Sequence, residues 1–194
     1  RTTLDALQHS PALLRGVAVV AEESSEAELA GLHAAGVRAL RFTENGEVLG
    51  VAKPAGILGL DALRRMAPRL RELGWHAQIW AKSAFLAESA HWLQDCGLPL
   101  VIDHMGSVDV TLGVDHVHFQ SLLSLVDGGA TWVKLITGRV TRQRWFDAAD
   151  VRPYHEALLA RAPDRMLWGT DWPYINMDKD LPDVGRQIDI FDAW

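Results

Sequence analysis

Leu100-Val101-Ile102-Asp103-His104-Met105-Gly106 reads as a buried strand that ends in two polar residues and a glycine turn. Its apolar residues run on without polar alternation, as in parallel strands covered on both faces. Similar runs recur at Gly16–Val20, Val37–Phe42, His76–Ala81, Thr131–Ile136 and Arg165–Asp171. Helical patterns lie between them at Ser25–Ala35, Leu60–Leu73, Ser83–Cys96, Phe119–Val126 and Val151–Arg161. Several stop at a glycine (Gly36, Gly74, Gly97, Gly128), and Thr2 to Leu7 already reads as helix.

This alternation predicts repeated βα units and a parallel α/β sheet, either open and doubly wound or closed as a (β/α)8 barrel. No Gly-x-Gly-x-x-Gly follows the first strand and no Gly-x4-Gly-Lys-Ser/Thr occurs, so the nucleotide-binding open sheets lose support. Strands that end in Arg41, Asp103-His104 and Asp171 favour the barrel, whose active site is built at the C-terminal strand ends. Six units are two short of closure, and 194 residues lie at the bottom of the barrel size range, so a segment of a larger barrel is expected. Hydrophobic residues at 48% and charged residues at 23% are ordinary for a globular domain. A net charge of −6 argues against a nucleic-acid partner, and no apolar run reaches the ~18 residues of a membrane helix. Cys96 is the only cysteine and Arg1 onward shows no signal peptide, which together suggest the cytoplasm.

His104 shares strand parity with Leu100 and Ile102, which sends these three to one face and Asp103 to the other. A histidine there can hydrogen-bond a carbonyl, ligate a metal or move a proton, or simply be satisfied by a neighbouring carbonyl. Leu167-Trp168-Gly169-Thr170-Asp171-Trp172-Pro173-Tyr174 repeats the pattern, with Asp171 closing an apolar strand at the parity of Gly169. A carboxylate so placed suits a general base toward water; a helix cap is the plain alternative. Burial would raise its pKa and a cationic neighbour would lower it. Arg41 shares parity with Val37 and Ala39 and suits bidentate carboxylate binding, or is a surface arginine. Gln78 and Trp80 share parity near the end of their strand, lining a pocket or packing in a core, and Lys134 reads as an ion-pair member. His116-Val117-His118 starts a predicted helix, where residues i and i+2 point about 200° apart and cannot chelate one ion. Trp75, Trp92, Trp132 and Trp145 read as helix–sheet packing, and His9, His33, His76, His91 and His155 as helix-face or strand-start residues.

Ile102-Asp103-His104-Met105-Gly106, Val133-Lys134-Leu135 and Trp168-Gly169-Thr170-Asp171-Trp172-Pro173, in that order, resemble the amidohydrolase-related family of 2-pyrone-4,6-dicarboxylate lactonases. Gly36-Val37-Arg38-Ala39-Leu40-Arg41-Phe42 and Gly74-Trp75-His76-Ala77-Gln78-Ile79 are similar to its Gly-Val-Arg-Gly-Val-Arg-Phe and Gly-Trp-His-Val-Gln strands. The resemblance spans essentially the whole chain. It implies a (β/α)8 barrel of the amidohydrolase type with strands three to eight present, as a single partial domain over residues 1–194 that lacks the N-terminal strands and the last helix. It implies Asp171 and His104 as catalytic residues and Arg41 and Arg139 as carboxylate anchors. Arg139 follows Gly138 where the family has Lys-Leu-Ser-Gly and then an arginine, and Arg142 is its rival. Trp80 stands near a common family tyrosine, and Tyr174 stands where the family commonly has histidine. The family's opening His-x-His would lie upstream of Arg1.

The expectation is a hydrolase in which Asp171 activates water toward the carbonyl of an anionic lactone or ester. His104 would polarise that carbonyl, and Arg41, Arg139, Gln78 and Trp80 would hold the substrate. No Gly-x-Ser-x-Gly and no His-Glu-x-x-His occurs. A metal-dependent decarboxylase of the same superfamily and a non-catalytic barrel fragment are the alternatives. A catalytic zinc takes three protein ligands, and only His104 and Asp171 stand at candidate positions. No bound cofactor is therefore expected, zinc or manganese being the ions its relatives would bring. The expected partner is a small carboxylate substrate, with no nucleic acid and no membrane.

Overall fold

The computed structural model describes residues 2–44, 57–175, 177 and 180–194. Strands β1 (Gly16–Ala18), β2 (Val37–Glu44), β3 (His76–Ala81), β4 (Leu100–Ile102), β5 (Thr131–Leu135) and β6 (Met166–Trp168) form one parallel sheet in chain order. The order never reverses, so each right-handed crossover returns over the same face. The sheet therefore curls as an arc of a barrel, where a doubly wound layer would need a reversal. The helices are α1 (Thr2–His9), α2 (Glu26–Ala34), α3 (Leu60–Glu72), α4 (Ser83–Asp95), α5 (Val117–Asp127), α6 (Arg152–Arg161) and α7 (Val184–Asp192).

The core lies between helices and sheet. Leu40, Phe42, Ile79, Leu100, Ile102, Val133 and Leu135 are buried on the helix side of the strands. Against them α3 buries Leu63, Met66 and Leu70, and α5 buries Phe119, Leu122 and Val126. Each such side chain contributes roughly 1.5–3 kcal/mol when fully buried. Ser25 starts α2 with a capping box, its hydroxyl accepting from the Glu28 N–H while the Glu28 carboxylate accepts from the Ser25 N–H. Trp75 is fully buried, and its indole N–H donates to His33 Nδ1 at 2.8 Å, so both residues have the packing role their sequence context suggests. Trp132 departs from that role. Its register opposite Val101 sets it on the concave face with Lys134, under the Arg165 guanidinium.

Four strands stop earlier than the apolar runs predict: β1 at Ala18, β4 at Ile102, β5 at Leu135 and β6 at Trp168. At β4 the reason is a left-handed turn, with φ of 48° at His104, 52° at Met105, 68° at Gly106 and 47° at Ser107. Left-handed residues cannot continue a ladder, so His104 does not share the parity of Ile102 as expected. Glycine suits the third position, because a Cβ on Gly106 would crowd Leu122 at 3.0 Å and Leu86 at 3.2 Å. Asp171 likewise stands three residues past β6 with φ of 60°, off the strand rather than closing it. Among the described residues, no helix is long and apolar enough to cross a membrane.

Candidate active site

The concave face is organised around Asp103, whose side chain is only 2% exposed. Arg41 donates from Nε to Oδ2 at 3.0 Å with Nη2 ion-paired 2.9 Å from the same oxygen, and Gln78 Nε2 donates to that oxygen at 3.0 Å. The Lys134 ammonium reaches Oδ1 at 2.8 Å. Register explains the gathering. Arg41 pairs with Gln78, Gln78 with Val101 and Ile102 with Val133, so Asp103 falls level with Lys134 and two residues above the other two donors. A buried carboxylate is tolerated only when paired in this way.

From Arg41 the contacts continue across the strand ends. Its guanidinium carbon lies 5.1 Å from the Trp80 ring centre, and Trp80 meets the His104 ring edge-on at 5.6 Å. His104 Nε2 lies 3.1 Å from Asp171 Oδ1. The carboxylate can only accept, so Nε2 carries the proton. Arg139 donates from Nε to Asp171 Oδ2 and from Nη2 to the Ile175 carbonyl at 2.7 Å. A short 3-10 turn, Thr137–Arg139, delivers this arginine, and Gly138 inside it packs against Trp145. Helix α7 holds the Asp171 segment through Gln187 Nε2, which donates to the Thr170 carbonyl at 3.3 Å.

Burial by itself pushes the Asp171 carboxyl up, but hydrogen bonds from His104 and Arg139, with their charge, outweigh it and hold the group below the ordinary carboxylate range. Asp171 is therefore ionised at neutral pH and able to accept a proton. His104 Nδ1 and Tyr174 Oη are buried close by with no hydrogen-bond partner among the described residues. Burial, then the charges of Asp183 and Asp171, push the Tyr174 phenol up, so it stays a hydroxyl. Unsatisfied polar atoms beside an ionised carboxylate can be served by water or a polar ligand.

All six residues singled out from the sequence, Arg41, Gln78, Trp80, His104, Arg139 and Asp171, join this one line of contacts. Arg142 does not: its backbone N–H donates to Asp150, and its charge acts on Asp109. Asp103 carries more contacts than any of the six, and sequence reasoning assigned it nothing beyond the face opposite His104. The available signal was an acid at a strand end with Arg41, Gln78 and Lys134 on neighbouring strands, which only the register aligns. His116 is the N-cap of α5, and its Nδ1 accepts from the His118 N–H at 3.3 Å. The two rings meet edge-on at 4.5 Å, so they are not splayed as a pair inside a helix would be. Among the described residues, no group of three or more His, Cys, Asp or Glu is gathered to hold a metal ion.

Comparison with known proteins gives this geometry a context. A 2-pyrone-4,6-dicarboxylate hydrolase of Comamonas testosteroni is 35% identical over 198 residues, covering 97% of this chain and 63% of its own length. A 4-sulfomuconolactone hydrolase of Rhizobium radiobacter is 30% identical over 190 residues, covering 97% of this chain and 62% of its own. The chain thus spans a little under two thirds of these curated relatives. A solved Pseudomonas putida structure, named for a 2-pyrone-4,6-dicarboxylic acid hydrolase, superposes on all of this chain and 69% of its own, with a TM-score of 0.80 and 31% identity. The Amidohydrolase family model matches residues 1–193. With the match running over nearly every residue, and the curled parallel sheet agreeing with it, the chain belongs to the amidohydrolase family.

Proposed function

We propose that this chain supplies strands three to eight of a (β/α)8 barrel, as one domain over residues 1–194, and that the barrel hydrolyses a carboxylate-bearing lactone of the 2-pyrone-4,6-dicarboxylate kind. The carrying observation is the contact of His104 and Arg139 with the two oxygens of one ionised carboxylate, Asp171. Asp171 takes a proton from water, and the oxygen attacks the lactone carbonyl carbon. His104 turns its Nε2 proton from Asp171 to the carbonyl oxygen, where negative charge develops. The ring C–O bond then breaks, the leaving oxygen takes up a proton, and lactone plus water becomes an open-chain acid. Arg41 and Arg139 hold the substrate carboxylates, while Gln78 and Trp80 flank the ring.

The names of the relatives support hydrolysis over decarboxylation. No step is routed through a metal: among the described residues His104 and Asp171 are the two candidate ligands, and Arg139 occupies the second Asp171 oxygen. A small carboxylate is the proposed partner, in the cytoplasm, where the one free thiol, Cys96, stays reduced. The test is Asp171→Asn in the eight-unit protein, assayed on 2-pyrone-4,6-dicarboxylate. The amide keeps the shape and cannot take the proton, so kcat should fall at least about 10²-fold with the circular dichroism spectrum unchanged. A kcat near that of the parent would sink the assignment.

A further inference from the structure

The concave face holds two carboxylates beside cations, and they differ in depth. Asp171 has a side chain 23% exposed and meets one arginine; Asp103 is 2% exposed and meets Arg41, Lys134 and Gln78 together. Asp103 lies beneath its partners, out of reach of a ligand. Its cations keep their outer sides open, at 32% exposure for Arg41 and 25% for Lys134. Arg41 uses Nε and Nη2 on Asp103, which leaves Nη1 without a partner among the described residues. Lys134 has three donors and gives one to Asp103. Trp80 closes the other side of Arg41 by stacking on its guanidinium.

We propose that Asp103 is a positioning residue that sets Arg41 and Lys134 side by side as one anion-binding pair, so that Lys134 contacts a ligand carboxylate together with Arg41. This rests on the lactone reading above and extends its ligand set to a residue whose sequence context suggests only an ion pair. A free arginine and lysine at this separation would repel each other and rotate apart. The buried carboxylate between them offsets that repulsion and fixes both stems before a ligand arrives. The cluster of Arg41, Lys134 and Asp103 carries a net single positive charge, matched to one carboxylate.

Charge and positioning predict opposite signs for Asp103→Asn, which makes the test sharp. Removing the negative charge raises the cluster to two positives, so charge alone would tighten anion binding. Positioning predicts weaker binding, because the two cations lose their common anchor. The probe is isophthalate, a flat ring with two carboxylates in the same 1,3 relation, with benzoate as its singly charged control; calorimetry on the eight-unit protein reads both. Asp103→Asn should bind isophthalate about tenfold more weakly, the scale of one charge-assisted hydrogen bond, with a smaller change for benzoate. Because two cations around a neutral amide could unfold the chain, Asp103→Asn/Lys134→Met removes one cation as well and should show the same loss. In the unsubstituted chain, the Arg41 Nε–H resonance, identified by its loss in Arg41→Lys, should stay sharp and unmoved when isophthalate is added. Unchanged or tighter isophthalate binding by a folded variant, or an Arg41 Nε–H signal that disappears on binding, overturns the positioning role alone. No isophthalate binding by the unsubstituted eight-unit protein overturns the dicarboxylate reading and this proposal with it.

Discussion

Arg139 and Asp171 set each other's chemistry, because the guanidinium proposed to hold a substrate carboxylate also keeps the proposed base ionised. The folded Asp171 carboxyl lies below its ordinary value, so its pairing stabilises the fold above about pH 3.9 and that contribution is lost as pH falls through the lowered value. In the proposed lactone hydrolysis the same ionisation should give the acid limb. Arg139→Met removes one cause of the lowering, and the acid limb of kcat/KM should move to higher pH; an acid limb that stays in place would show that Arg139 does not control this carboxylate. At this scale His104 and Asp171 were legible from polar residues ending apolar runs, and Arg41 from its small strand neighbours. Asp103 was not. A lone acid beside a histidine carries no local mark, and its three partners lie 62, 25 and 31 residues away, aligned only by pairing between strands.

Elements were read more easily than their ends. Nearly continuous apolar runs mark each of the described strands, and β3 matches its run residue for residue. At β4 the run overreaches because His104 looks like a continuation while its left-handed φ ends the ladder, and Asp171, which the last run includes, is left-handed too. The turn after β4 seats the site histidine, and Gly106 locks it to α4 and α5 through Leu86 and Leu122. Gly106→Ala adds left-handed strain and a close contact together, and should lower stability by about 1–3 kcal/mol in urea unfolding. A midpoint equal to the parent's would mean the turn relaxes freely.

As a whole, the molecule is an arc with two flanks. Its parallel sheet ends at β1 on one side and β6 on the other, and neither has an outer partner strand among the described residues. Val17 and Val19 are exposed at the first flank, Leu167 and Trp168 at the second, and Trp172 is 73% exposed beyond it. Unpaired strand edges with apolar side chains invite pairing with another chain. The isolated chain should therefore grow in sedimentation coefficient with concentration, and Val19→Lys with Leu167→Lys should suppress that growth. A single concentration-independent species would show that the flanks are inert. The six βα units counted in the sequence match the six described strands, whereas the curl needed the strand order.

The left-handed turn at His104–Ser107 has a consequence for chirality. Its backbone is the mirror image of what L-amino acids prefer, so the histidine is mounted on a segment whose natural building blocks have the wrong hand. A D residue would be at home there. In a chain assembled by chemical ligation, D-alanine at 106 accepts the φ of 68° without strain and directs its methyl away from the side on which L-alanine meets Leu122. The D and L versions share composition, charge and volume, so the gap between their unfolding midpoints measures the handedness this site demands of its backbone.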